Sequence, residues 1–271
     1  MISTWLLFLL AGVQPTSSAA GPGLAGLAAA GRWDHVLTVA VRREAQLPLR
    51  AEEALVAAYA ARIAGDPDAE AHFLGQVVDD PDLGAVARVE LAELVIGKDP
   101  SRSAGLVSSL LRRAPSRQLR SRALELTAEA VTAGIDPEGR SRVESIVPTL
   151  SRSSRRGVEL ALARTAEPVD RHRLSRLLSA STDDLVALVA AEELSSAGEI
   201  GAVDRWRVAQ TFYRHGRYEQ AAPIHEGLDG VRHSQIPSWE VAYLRGRCAF
   251  RRGDWPTAAT WYRRAISRTS S

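Results

Sequence analysis

The sequence predicts an all-α protein, a right-handed superhelix or α-solenoid of antiparallel helix pairs. Three observations predict it. Ala, Leu, Arg and Glu dominate the chain, and all are strong helix formers. Apolar residues recur at helical spacing, and convincing runs of β-branched alternation are absent. Prolines, several preceded by Asp, cut the periodic stretches into intervals of roughly 12–20 residues, the length of a short helix plus a turn. About twelve or thirteen helices are expected after the first twenty residues.

Taken in order, the chain begins with an apolar run from Trp5 to Val13, WLLFLLAGV. A membrane-spanning helix needs about 20 apolar residues, so this run fits the apolar core of a secretory signal instead. Small residues at Ser18-Ala19-Ala20 place the expected cut after Ala20. No Lys or Arg precedes the run, which departs from the usual pattern of such signals. The implied location is periplasmic or otherwise exported, with no stable membrane insertion once the signal is removed.

Residues 21–200 read as a stack of helical hairpins. Asp-Pro occurs at Asp66-Pro67, Asp80-Pro81, Asp99-Pro100 and Asp136-Pro137. Asp caps a helix start and Pro is tolerated at its first position, so each pair marks a stop and a restart. Ala87, Leu91, Leu94 and Val95 fall on one helical face, as do Leu119, Ala123, Leu126 and Ala130. No aromatic residue lies between Leu74 and Arg205, so this stretch must fill its core with Leu, Val and Ala.

Residues 201–271 read as two divergent repeats. Ten of the 15 aromatics lie between Trp206 and Tyr262, which sets this region apart. Gly216-Arg217-Tyr218 aligns with Gly253-Asp254-Trp255. The same offset matches Ala209 with Gly246, Ala221 with Ala258, and His225 with Tyr262. Each position has a physical reason. Ala209 and Gly246 allow close helix approach, and Gly216 and Gly253 end a helix where positive φ is cheap. Tyr218 and Trp255 are expected to fill the gap between paired helices, and Ala221 and Ala258 to permit a tight crossing. Gly31-Arg32-Trp33 is a third elbow of this kind.

These positions resemble the tetratricopeptide repeat, in which small, Gly, aromatic, Ala and aromatic residues recur in this order. His225 stands where that family has an aromatic, and the offset is longer than the family's own. Residues Trp239 to Ile266 also resemble the N-terminal superhelical region of soluble lytic murein transglycosylases. Tyr243, Gly246, Arg247 and Gly253 fall in places comparable to a run found there. The resemblance implies a scaffold from a cell-wall protein. In that family the catalytic acid is a Glu followed by Ser, with a Gly-Leu-Met-Gln run nearby. The sole Glu-Ser dipeptide here is Glu144-Ser145, without that run, so Glu144 is expected to be an ordinary helix residue and the catalytic module to be missing. Exposed apolar residues after Ala258 carry the further expectation that a longer protein continues beyond Ser271.

Composition narrows the function classes. The chain has 271 residues with 34 basic and 32 acidic side chains, so no polybasic character points to nucleic acid. Residues 33–101 hold 13 acids and 6 bases, whereas residues 102–176 hold 15 arginines and 8 acids. Such stretches attract charged partners or form solvated faces. Cys248 is the one cysteine, which excludes an intramolecular disulfide, and its neighbours are small, as for a packing residue. His35, His72, His172, His215, His225 and His233 are scattered, without ligand spacing to a carboxylate. No nucleotide, metalloprotease or esterase motif occurs. No catalytic, cofactor-binding or metal-binding residue is therefore assigned. The expected function is a non-catalytic repeat scaffold that binds a protein, a peptide or peptidoglycan, or alternatively a general adaptor of the cell envelope. Arg207, Gln210, Arg214, Arg245 and Arg252 are the expected lining of a concave face, where arginines would hydrogen-bond ligand carboxylates.

Overall fold

The computed structural model describes residues 23–112 and 116–269. The expected leader and its cut after Ala20 lie outside the described residues. The described chain is all-α, with fifteen α-helices and no β-strand. In order these are α1 Leu24–Ala29, α2 Trp33–Glu44, α3 Ala51–Ala64, α4 Pro67–Val77, α5 Gly84–Val95, α6 Pro100–Arg112, α7 Arg117–Gly134 and α8 Pro137–Ile146. A single 3-10 turn, Val147–Thr149, then precedes α9 Arg152–Arg164, α10 Arg171–Ala180, α11 Leu185–Ser196, α12 Ala202–Arg214, α13 Tyr218–Glu226, α14 Ser238–Arg251 and α15 Trp255–Thr269. The count exceeds the sequence expectation because helices as short as α1, six residues, leave little periodic signal.

Local chemistry accounts for the helix starts. Asp66, Ser116, Asp136, Ser151, Asp170 and Asp184 each accept a hydrogen bond from the backbone N–H three residues on. Such caps satisfy donors that the first helical turn leaves unpaired. Asp99 does the same for Arg102. Asp80-Pro81 behaves differently: Asp80 accepts from the N–H groups of Asp82 and Leu83 in a turn, and α5 begins only at Gly84. Gly84 is required there, because a Cβ would lie 2.6 Å from the carbonyl oxygen of Val78.

Helix ends repeat one device. Gly31, Gly65, Gly216 and Gly253 have φ between 70° and 81°. After each, the next residue donates its N–H to a carbonyl five residues back: Arg32 to Leu27, Asp66 to Ala61, Arg217 to Phe212, and Asp254 to Ala249. This is the glycine-terminated helix end that turns the chain straight into the next helix.

The chain divides into two compact units at Thr149/Leu150. In the first, α1 to α7 pack each against the next in sequence, α8 packs on α6, and α1·α3 and α5·α7 also touch. The core at its N-terminal end is built on Leu24, Phe73, Leu74, Val77 and Leu91, with small alanines between. In the second unit one core runs from Ala163 through Leu174, Leu178, Leu194 and Phe212 to Cys248. It crosses residue 200, where aromatics enter the sequence, without a break in packing.

Side-chain links of constant reach tie alternate helices together. Residues 28 to 31 apart are joined by Glu44–His72, Arg62–Glu90 and Glu93–Arg122 in the first unit. The second unit adds Arg156–Asp184, Arg164–Glu193, Ser175–Asp204, Asp183–Arg214 and Gln210–Glu240. Each of these joins a helix, or the turn at its end, to the helix or turn one hairpin later. Two arginines make links from inside, Arg88 to the turn before its own helix and to the next helix, and Arg156 across a hairpin. Arg88 donates to the Val78 carbonyl, Asp79 and Ser109, and Arg156 donates to the Leu177 carbonyl and Asp184.

Candidate functional site

The site is built by the register between the α12–α13 and α14–α15 hairpins of the second unit. Two aromatic contacts recur at equivalent positions. Trp206 meets His225 edge-on at 5.6 Å, and Tyr243 meets Tyr262 at 5.9 Å. Tyr213 meets Tyr218 at 5.6 Å, and Phe250 meets Trp255 at 4.7 Å. In each case the second pair lies 37 residues after the first.

The small positions follow suit. A Cβ on Gly246 would lie 2.7 Å from two ring carbons of Tyr262, so the tyrosine requires the glycine. The first hairpin carries Ala209 at that position, opposite a smaller ring, His225, in the register of Tyr262. Ala209, Ala221 and Ala258 are all buried.

The two hairpins differ in what covers them. Helix α14 lies on the first and closes Trp206 into a cluster with Leu228, Ile236, Val241 and Leu244. Trp206 is 4% exposed and its register partner Tyr243 is 39% exposed. His225 is fully buried, whereas Tyr262 is half-buried. Asp229 is half-buried, whereas Ile266 is 67% exposed. Phe250 and Trp255 are exposed too. Trp255 is 59% exposed, short of the gap-filling expected of it; Tyr218 is half-buried against the core and Tyr213, with Arg251 of α14 6.0 Å from its ring centroid.

The result is an aromatic surface on α14 and α15 edged by arginine. Arg247 donates to the Tyr243 hydroxyl at 3.2 Å and lies 5.9 Å above that ring. Its Nε is buried without a hydrogen-bond acceptor. Tyr, Trp and Arg are the side chains that dominate binding energy at protein interfaces, because they combine large contact area with directional polar groups.

The five residues expected to line one concave face separate into three settings. Gln210 donates to Glu240 at 3.4 Å, and Arg214 pairs with Asp183. Arg207 pairs with Asp204 on its own helix. Arg245 and Arg252 line a small cleft with Ala222, Glu226, Thr257 and Trp261, a volume of about 10 Å³. That is room for about one water molecule. Arg245 stacks 3.5 Å from the Trp261 centroid and pairs with Glu226 and Asp229 at 3.6 and 3.5 Å. Burial holds its guanidinium below the usual arginine value, although both carboxylates pull upward. Asp229 also receives Arg264 and Arg268, so this cluster ties α14 and α15 to the end of α13. Sequence spacing missed the difference because Arg245 stands in the register of Val208, a buried position.

The other candidates fall elsewhere. His225 is pushed down to about 4, first by burial and then by the charge of Arg245, and neither ring nitrogen has a hydrogen-bond partner. Burial pushes the Cys248 thiol up to about 11, which keeps it protonated and poorly nucleophilic at neutral pH. Glu144 lies on α8 facing Arg140 at 3.8 Å, and Ser145 accepts from Arg112. Among the described residues no three His, Cys, Asp or Glu side chains gather as a metal set. No described helix is long and apolar enough to cross a membrane. No protein-family model and no curated protein matches the chain.

Proposed function

We propose that the chain is a non-catalytic, exported helical-repeat scaffold that binds a protein or peptide partner through the exposed aromatic–arginine face of α14 and α15. The finer fold in this reading is a right-handed solenoid of antiparallel helix pairs, tetratricopeptide-like over residues 201–271. One observation carries it: the two aromatic pairs and the glycine elbows repeat 37 residues apart in sequence and in contact. A hairpin repeated in register makes an extended surface, and stacked hairpins are binding scaffolds on physical grounds. The links between alternate helices support the same architecture.

The setting in this reading is the cell wall, on the resemblance of residues Trp239 to Ile266. The test incubates the purified chain with isolated peptidoglycan sacculi and scores both co-sedimentation and released muropeptides. Sedimentation without release is the expected outcome. Release of muropeptides would overturn the non-catalytic assignment. Failure to sediment removes peptidoglycan as the ligand and leaves a protein adaptor of the envelope. Failure also to bind any member of a random peptide array ends the scaffold reading.

A further inference from the structure

We infer that the exposed α14–α15 face is a seat for an acidic amphipathic helix of a partner protein, laid where α14 lies on the preceding hairpin. The inference rests on the scaffold reading and names its partner class.

The first ground is the covered hairpin. There α14 places Val241 and Leu244 on Trp206 and brings Cys248 into the core with Ala221 and Ala222. The residues it covers have register partners Tyr243, Ala258, Ala259, Tyr262 and Ile266. Of these, Tyr243, Ala259 and Ile266 are exposed and Tyr262 is half-buried. The same shape that accepts one helix is thus presented a second time. An apolar stripe at spacings of three and four residues, as in Val241, Leu244 and Cys248, matches it.

The second ground is charge. On the covered hairpin Gln210 meets Glu240, and Glu226 meets Arg245. Their register partners on the open face are Arg247 and Arg263. Glu226 is thereby exchanged for a base. Neither Arg247 nor Arg263 has an acidic partner among the described residues, whereas Glu240 and Arg245 on α14 meet theirs. The occupant therefore needs a carboxylate at the place of Glu240, to meet Arg247, and another at the place of Arg245, to meet Arg263. The α14–α15 hairpin, residues 238–269, carries seven arginines against Glu240 and Asp254, so a second basic α14–α15 face is repelled. Apolar contact supplies the area and the two carboxylates select the partner.

The test uses the full chain and a peptide of residues 238–251, locked helical by a side-chain staple away from Val241, Leu244 and Cys248. One version carries Arg245→Glu and the other keeps Arg245. The Glu version is expected to bind about tenfold more tightly, since it exchanges a like-charge contact for an opposite-charge pair at Arg263. The chain variant Arg263→Glu is expected to invert that preference. Ile266→Glu, at an exposed position, is expected to abolish binding of both while leaving the thermal midpoint unchanged. Equal binding of the two peptides, or binding that survives Ile266→Glu, overturns the proposal. Concentration-dependent self-association that Ile266→Glu abolishes also overturns it, because the occupant is then a second copy. If the peptides fail while sacculi or array peptides still bind, the helix seat is lost and the scaffold reading stands.

Discussion

At the residue scale, the second unit depends on a few side chains whose roles follow from size and burial. Gly246 is one. Gly246→Ala is expected to cost about 1–3 kcal/mol, because the new methyl overlaps the Tyr262 ring and the core must shift. Chemical denaturation checks this, and the double variant Gly246→Ala with Tyr262→His is expected to recover part of the loss. His225 is another. Its folded value lies below the ordinary 6.5, so the unfolded chain binds the proton more readily. Its neutral form supports the fold fully above about pH 6.5, and that support is lost as pH falls toward about 4. The loss is roughly 3 kcal/mol, from about 1.4 kcal/mol per unit of pKa. Denaturation at pH 4.5 and pH 7.5 is expected to show it, and His225→Phe to remove most of the difference. The elbow glycines and small positions were legible in the sequence, because positive φ and close approach leave few residue choices. The positions of Gln210, Arg214, Arg245 and Arg252 were not. On a helix two residues apart point about 200° away from each other, so a roll of nearby arginines does not define a face without a register. The shift from Val208 to Arg245 carried that register and went unread.

At the element scale, two kinds of polar link hold alternate helices. Arg156 sits inside, with its guanidinium shared between the Leu177 carbonyl and Asp184. Arg156→Ala is expected to cost about 1–3 kcal/mol, since it strands the buried Leu177 carbonyl. Arg164→Ala breaks an exposed pair with Glu193 and is expected to cost less than about 1 kcal/mol. Urea titration of the two variants distinguishes them, and similar losses would contradict the division into inner and outer links. Helix starts were readable where Asp or Ser preceded a periodic stretch. Asp80-Pro81 misled because Asp also caps simple turns, and only the backbone conformation decides which donor it meets. The links themselves were invisible in the sequence. Arginine and glutamate are common at every spacing here, and only known helix lengths select the pairs that meet.

At the scale of the whole molecule, stability is distributed along neighbouring helices. Most polar links are exposed, so raising salt from 0.05 to 0.5 M is expected to lower unfolding free energy by only about 1–2 kcal/mol. A fall much larger than that would show that the ion pairs outweigh the alanine- and leucine-filled cores. The all-α character was legible from composition and periodicity alone. The boundary at Thr149/Leu150 was not, because it falls at a short turn where neither aromatics nor charge change sharply. The shift in aromatic content near residue 200 marks a change in core filling, from Leu and Ala to rings, within one continuous core.

The constant reach of those side-chain links has a consequence for how such a gene tolerates editing. Removing or adding a few residues inside one hairpin throws every partner across it out of step. Excising a complete hairpin, near 30 residues, instead brings an earlier helix beside one of the same rank, so the interval between helices is kept. Length variants of this chain that still fold should therefore differ by whole hairpins, counted in the same interval that spaces Arg62 from Glu90.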